Sequence, residues 1–417
     1  MTDDRLAFRA LRFLGLALFT FGLISGALAY GQKKQEKQKS GIEEFEEVCP
    51  YTKGDRDLER KLGYERVGFL PWRLNDDSTS VQENIGGIPM VWVETEHFRI
   101  GSSLVSYKLT GDKQETKYLK AEIERLKDKL GKLKAPKKSI DPWLRIHLYA
   151  QMLEDLYANF MSDFGFTDKD FPAPNKFLGH PKKFLVLLCE KDSEYGRYLR
   201  TYLDSDIEGS FRTGWMHEGM IATASYESVA KNWKDQADSP TDSMYRCVIT
   251  ACVTSTFIDG YRDNLFRAPR WLSFAAAHIY QKKVDPRWTR FDGRQIIYDA
   301  NDDSWDWEPR VYKLVKNEFF ASNEKLFQII KYSDLTSLDH MIAWSKLSYL
   351  MDEKGGREGK LKAFLNDVCS PARGNSFPTK EEFLQMQTKA MKAHFGVTPV
   401  EFDEEWSKWV LKNYRKK

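Results

Sequence analysis

Two aspartates, Asp259 and Asp263, stand four residues apart, a spacing that sets both carboxylates on one helix face. With His278 as a partner imidazole, such a pair would suit general acid and base work. The surrounding Asp-Gly-Tyr-Arg-Asp-Asn reads instead as a helix exit and loop, so solvated carboxylates are expected there, Asp292 included. His217-Glu218 opens like a zinc-hydrolase helix. That chemistry needs a second imidazole one turn on and a glutamate beside the first to activate a metal-bound water. No second histidine follows at that spacing, and His-Glu-x-x-His occurs nowhere in the chain. The seven histidines are scattered and are expected on the surface or satisfied in the core. Five cysteines (Cys49, Cys189, Cys247, Cys252 and Cys369) are too few and odd in number for a disulfide scaffold. Cys247 and Cys252 fall about 140° apart around a helix, so buried structural thiols are expected. There is no nucleophile elbow, P-loop or dinucleotide fingerprint. Neither a metal nor a cofactor is expected.

The elements that would position these residues can be read from pattern. The chain has 417 residues, 41% hydrophobic and 30% charged, with a net charge of +3. It folds, and its charge gives no reason to expect nucleic acid. After Arg5, Arg9 and Arg12 runs an uncharged stretch, Phe13 to Gln32. It predicts a signal peptide over residues 1–31, or a membrane anchor if it stays uncleaved. The chain is then exported, periplasmic or anchored facing outside, with the cytoplasmic-facing orientation left open. Residues 32–88 are polar and predict a linker and lead-in. Pro89 to Ser103 alternates as a strand. Leu119, Ile123, Leu126, Leu130 and Leu133 mark a helix ended by Pro136, and Asp141-Pro142 starts a second one. Phe184 to Leu188 predicts a central strand, and a glycine-punctuated hairpin ends in a strand at Met220 to Ala224. Beyond Asp285 the pattern is helical. Its last helix opens on a Thr398/Glu401 capping box.

Between the hairpin and that helical part lies "CVITACVTSTFIDGYRDNLFRAPRWLSFAAAHIY", two helices joined by a polar bend. The order of elements and the "APRWLS" stretch resemble the peptidase MA-like, gluzincin-type zinc metallopeptidases. The resemblance spans roughly residues 90 to 410. It implies an α+β, zincin-like fold: a small mixed sheet plus helices in an N-terminal lobe (89–284), and a helical C-terminal lobe (285–417). It also places the metal motif on Thr250-Ala251-Cys252-Val253-Thr254 and the third ligand on Phe274. Thr250 and Thr254 then replace the histidines, Ala251 replaces the general base, and phenylalanine fills the place of the third ligand.

On that reading the chain is a pseudopeptidase of the cell envelope, holding a peptide or protein partner in a former substrate cleft. Binding candidates are Trp271, His278, Arg287, Trp288, Arg290, Trp305 and Trp307. Most belong to the Arg287–Arg310 stretch, which reads equally as an exposed recognition loop or as a long connection pinned by its own aromatics. The alternatives are a hydrolase built around His278 and a purely structural envelope component.

Overall fold

The structure is a computed structural model. It describes residues 45–414 except 132, 216, 233–241, 266, 290–304 and 370–376. Its main sheet has six strands: β1 (Tyr64–Val67), β2 (Val91–Thr95), β3 (Phe98–Ser102), β6 (Phe184–Cys189), β7 (Ser210–Trp215) and β8 (Gly219–Ser225). They lie in the order β1-β2-β3-β6-β8-β7, and β4 (Tyr107–Lys108) pairs separately with β5 (Ser139–Ile140). β6 is parallel to both its neighbours, while β1, β2 and β7 run antiparallel to theirs. The unbroken apolar run of β6 follows from this place: helices cover both faces of the sheet there, and every residue of the strand is buried.

One face of the sheet packs on α4 (Pro142–Asp163) and α7 (Asp242–Asp259). The other is closed by α2 (Ser78–Asn84) and α5 (Asp192–Leu203), where Trp72, Trp92, Tyr198 and Leu187 make a second core. The Trp72 indole N–H donates to Tyr198 Oη at 2.9 Å, which satisfies a buried donor. The other helices are α1 (Arg56–Leu62), α3 (Lys113–Leu130), α6 (Tyr226–Asn232), α8 (Arg270–Val284), α9 (Trp307–Lys316), α10 (Asn323–Phe327), α11 (Ser337–Asp352), α12 (Leu361–Val368), α13 (Lys380–Phe395) and α14 (Pro399–Asn413).

Three expectations change. The stretch after Pro89 is not one strand but the β2–β3 hairpin, paired from Val91↔Ser102 to Glu94↔Arg99. Its turn is fixed from outside the sheet: Glu154 of α4 binds both the backbone N–H (3.0 Å) and Nδ1 (2.6 Å) of His97. Residues 45–88 are no linker, because they supply α1, α2 and the outer strand β1. Their polar residues are caps: Asp55 receives the first amides of α1, and Asp77 forms a capping box with Ser80. Helix α3 stops at Gly131, whose φ of +72° suits glycine, before Pro136 is reached.

Other expectations are met in place. Asp141 caps α4 through the Leu144 amide at 3.0 Å, and the Thr398/Glu401 box opens α14. The helices after Asp285 do not stand apart from the sheet domain. Helix α11 lies along α8, and residues from Glu43 onward form one compact unit. All five cysteines are buried, reduced thiols. No helix among the described residues is long and apolar enough to cross a membrane; Phe13 to Gln32 lies outside them.

Candidate functional site

Helix α7 is apolar nearly all round because it is nearly all interior. Of its 18 residues only Ala251 is more than marginally accessible. Each end is fastened by buried charge. At the start, Asp242 receives Arg145 at 2.7 Å and Arg246 at 3.3 Å, and Glu115 accepts the Ser243 amide at 3.1 Å. At the other end, Asp259 is fully buried. It receives Arg212 of β7 at 3.2 Å, Arg270 of α8 at 3.3 Å and the Tyr332 hydroxyl at 2.5 Å. The solvated carboxylate expected at Asp259 is thus an interior ion-pair centre. It ties the edge strand, the central helix and the "PRWLS" helix together.

Above this knot lies a hollow of about 20 Å³, room for roughly one water. Its floor is Ala251, Cys252 and Ser255 of α7, its wall Phe274 and His278 of α8, and its roof Ser210 and Arg212 of β7. Of the four positions aligned with the zinc motif, the structure brings Ala251 and Phe274 together here. It does not bring Thr250 or Thr254. The Thr250 hydroxyl points to Met152 Sδ of α4 at 3.8 Å, and the fully buried Thr254 hydroxyl has no partner among the described residues. One residue is 100° of helix. A pair at i and i+4 that faces the hollow is therefore Ala251–Ser255, with Cys252 after the first member. That pair lies one residue along from Thr250 and Thr254, where the resemblance places the two histidines.

His278 is buried and held at both nitrogens. The Gln281 amide N–H donates to Nδ1 at 3.1 Å, which leaves Nε2–H to donate to His340 Nδ1 at 2.9 Å. Burial, with His340 and Lys282 adding to it, pushes His278 well below the usual imidazole range. It is held neutral in the wall, and no hydrogen bond or ion pair joins it to Asp259 or Asp263. Asp263 pairs instead with the exposed His217 at 2.8 Å and faces buried His180 at 3.6 Å. The backbone here is left-handed at His217, Arg262 and Asp263 (φ +60°, +50° and +59°).

Three of the four aromatic candidates are interior. Trp271 donates to Gln387 at 2.7 Å and stacks on Phe327. Trp307 sits edge-on to His278 and Trp344, and Trp288 is buried. Arg287 is clamped between Asp112 (2.9 Å) and Asp285 (2.7 Å). Trp305 is partly exposed, and its carbonyl accepts from Lys282. Arg287, Trp288, Trp305 and Trp307 are thus held at the two ends of the stretch, and residues 290–304 between them, Arg290 and Asp292 included, lie outside the described residues. Sequence reasoning missed Arg212, Arg270 and Tyr332. Arg270 stood inside the "PRWLS" stretch and offered a signal; Arg212 and Tyr332 gave none, since only the fold brings them to Asp259.

Among the described residues no three His, Cys, Asp or Glu side chains are placed to hold a metal ion. The chain matches no family model, no curated protein and no solved structure.

Proposed function

We propose that the chain is a catalytically inactive relative of gluzincin-type peptidases that holds an extended peptide, or a segment of a partner protein, at the cell envelope. One observation carries this reading. Strand β7 stands at the edge of the sheet, paired among the described residues with β8 alone, directly over the hollow between α7 and α8. On such an edge every second residue turns its N–H and C=O outward, a template for one more strand. The element order that carried the resemblance is present along the chain, and the floor under β7 offers alanine, thiol and hydroxyl where a metal would need imidazole. His278, tied at both nitrogens, gives little support to a hydrolase built around it.

The test uses the purified full chain on an array of extended peptides. Binding should be lost when alternate backbone amides of a bound peptide are N-methylated, because strand addition uses those amides. Binding indifferent to methylation argues against the β7 edge. Zinc-dependent cleavage of any bound peptide overturns the inactive assignment.

A further inference from the structure

From Lys127 to Lys138 the sequence "KDKLGKLKAPKK" holds six lysines and one aspartate. Lys134 to Ser139 run between two buried anchors, Leu133 and Ile140, and Lys134, Lys137 and Lys138 are exposed. The β4–β5 ladder sets Lys108, also exposed, opposite Ser139, and the Leu109 amide donates to Lys138 O at 2.9 Å. Lys127 is paired with Glu124, but Lys108, Lys129, Lys134, Lys137 and Lys138 make no ion pair with a described residue.

This corner is also where the folded unit begins. The Trp143 indole donates to Glu46 O at 2.8 Å, and the Tyr51 hydroxyl donates to Asp141, next to Ile140. Val48, in the same lead-in, is 58% exposed. The nearby carboxylates that form no ion pair with a described residue include Glu46, Glu47, Asp128 and Asp141, four against the five lysines. Lys33 to Glu44, twelve residues, separate this point in sequence from the uncharged stretch that ends at Gln32.

We infer that the Lys108/Lys134–Lys138 corner docks on an anionic lipid surface as a second membrane contact beside the N-terminal apolar segment. The inference rests on the envelope reading above. One apolar segment plus a basic patch is the general two-signal form of stable attachment. A lysine near an anionic bilayer strengthens binding roughly fivefold, within reach of screening by salt. A tether as short as twelve residues keeps the patch at high effective concentration over the bilayer.

The full chain is reconstituted into nanodiscs of phosphatidylcholine alone and of phosphatidylcholine with phosphatidylglycerol, and its lysines are acetylated for mass spectrometry. Lys108, Lys134, Lys137 and Lys138 should react at least fivefold more slowly on the anionic disc, and high salt should abolish the difference. Vesicle binding by K134Q/K137Q/K138Q should fall roughly a hundredfold with its circular dichroism unchanged. Equal acetylation on both discs overturns the patch and leaves the anchor standing. Failure to enter either disc defeats the anchor instead; the patch then stands or falls on co-sedimentation of the chain with phosphatidylglycerol vesicles. Tighter binding to a single-stranded oligonucleotide than to those vesicles overturns the lipid assignment.

Discussion

The two flanks of α7 are built from similar residues and do opposite things. Toward α4, the buried Thr250 hydroxyl reaches only Met152 Sδ, and one turn on the fully buried Thr254 hydroxyl has no partner among the described residues. Toward β7, Ala251, Cys252 and Ser255 stop short of contact and leave a hollow rimmed by Arg212, Phe274 and His278. Small polar side chains are tolerated on both sides. Only on the second does the fold spend space on them and set a buried ion-pair knot at the rim. A site is recognised by this unfilled volume next to fixed charge, more than by residue types.

The largest expected effect comes from building a zinc site on each flank in turn. Ala251→His, Cys252→Glu, Ser255→His and Phe274→Glu together set two imidazoles and two carboxylates around the hollow, with the Glu at 274 as the third ligand and the Glu at 252 beside the first imidazole. The full chain carrying them should bind zinc with a micromolar or tighter Kd, about 8 kcal/mol, in competition with a chelator. The counterpart shifted by one residue, Thr250→His, Ala251→Glu, Thr254→His and Phe274→Glu, drives imidazoles into the buried flank beside Met152 and should bind none. Zinc binding by the shifted variant instead would restore the aligned register.

Much of the fold was legible: the α3–α4 hairpin, β6, the β7–β8 hairpin and the capped last helix all follow from local pattern. The register of α7 was not. A helix buried on every side shows no apolar stripe, so nothing in its sequence says which residues face a cavity. Likewise the polar stretch before Pro89 looked like a linker because capping residues and linker residues are the same types. The knot at Asp259 joins residues 212, 259, 270 and 332, and no local pattern links them.

Next in size is the removal of that knot. Asp259→Ala leaves two buried guanidiniums without their carboxylate and should lower stability by about 3–5 kcal/mol in urea unfolding. Asp242→Ala at the start of the helix strips Arg145 and Arg246 and falls in the same range. The two should part in a second measurement. Loss of Asp259 loosens the rim and should speed iodoacetamide labelling of Cys252 under native conditions, whereas loss of Asp242 should not. Equal labelling in both variants would mean that the rim is not held from Asp259.

Acid should act through buried imidazoles. Burial pushes His147 down to about 3, lowers His180 against the opposing pull of Asp263, and holds His278 well down. In the unfolded chain each titrates near 6.5, so below that pH the unfolded state binds more protons. Stability is therefore full above about pH 6.5 and declines as pH falls. Each imidazole contributes a slope of about 1.4 kcal/mol per pH unit. His278→Gln, on the hollow flank, should remove one such share of the slope, whatever it does to stability at neutral pH. An unchanged slope would mean that His278 is already charged in the fold.

The smallest effect lies on the solid flank. The Thr254 hydroxyl was taken out of water on folding and gains no partner among the described residues. Its desolvation therefore opposes folding with nothing to offset it. Thr254→Val keeps the branched shape and replaces that hydroxyl with a methyl group, so it should stabilise the chain by up to about 1 kcal/mol. Ser255→Ala, one residue on and lining the hollow, should stay within about 0.5 kcal/mol, since the hydroxyl it removes borders unfilled space and has no bond to a described residue to lose. A destabilised Thr254→Val would mean that the hydroxyl is bonded, and the contrast between the flanks would then rest on the hollow alone.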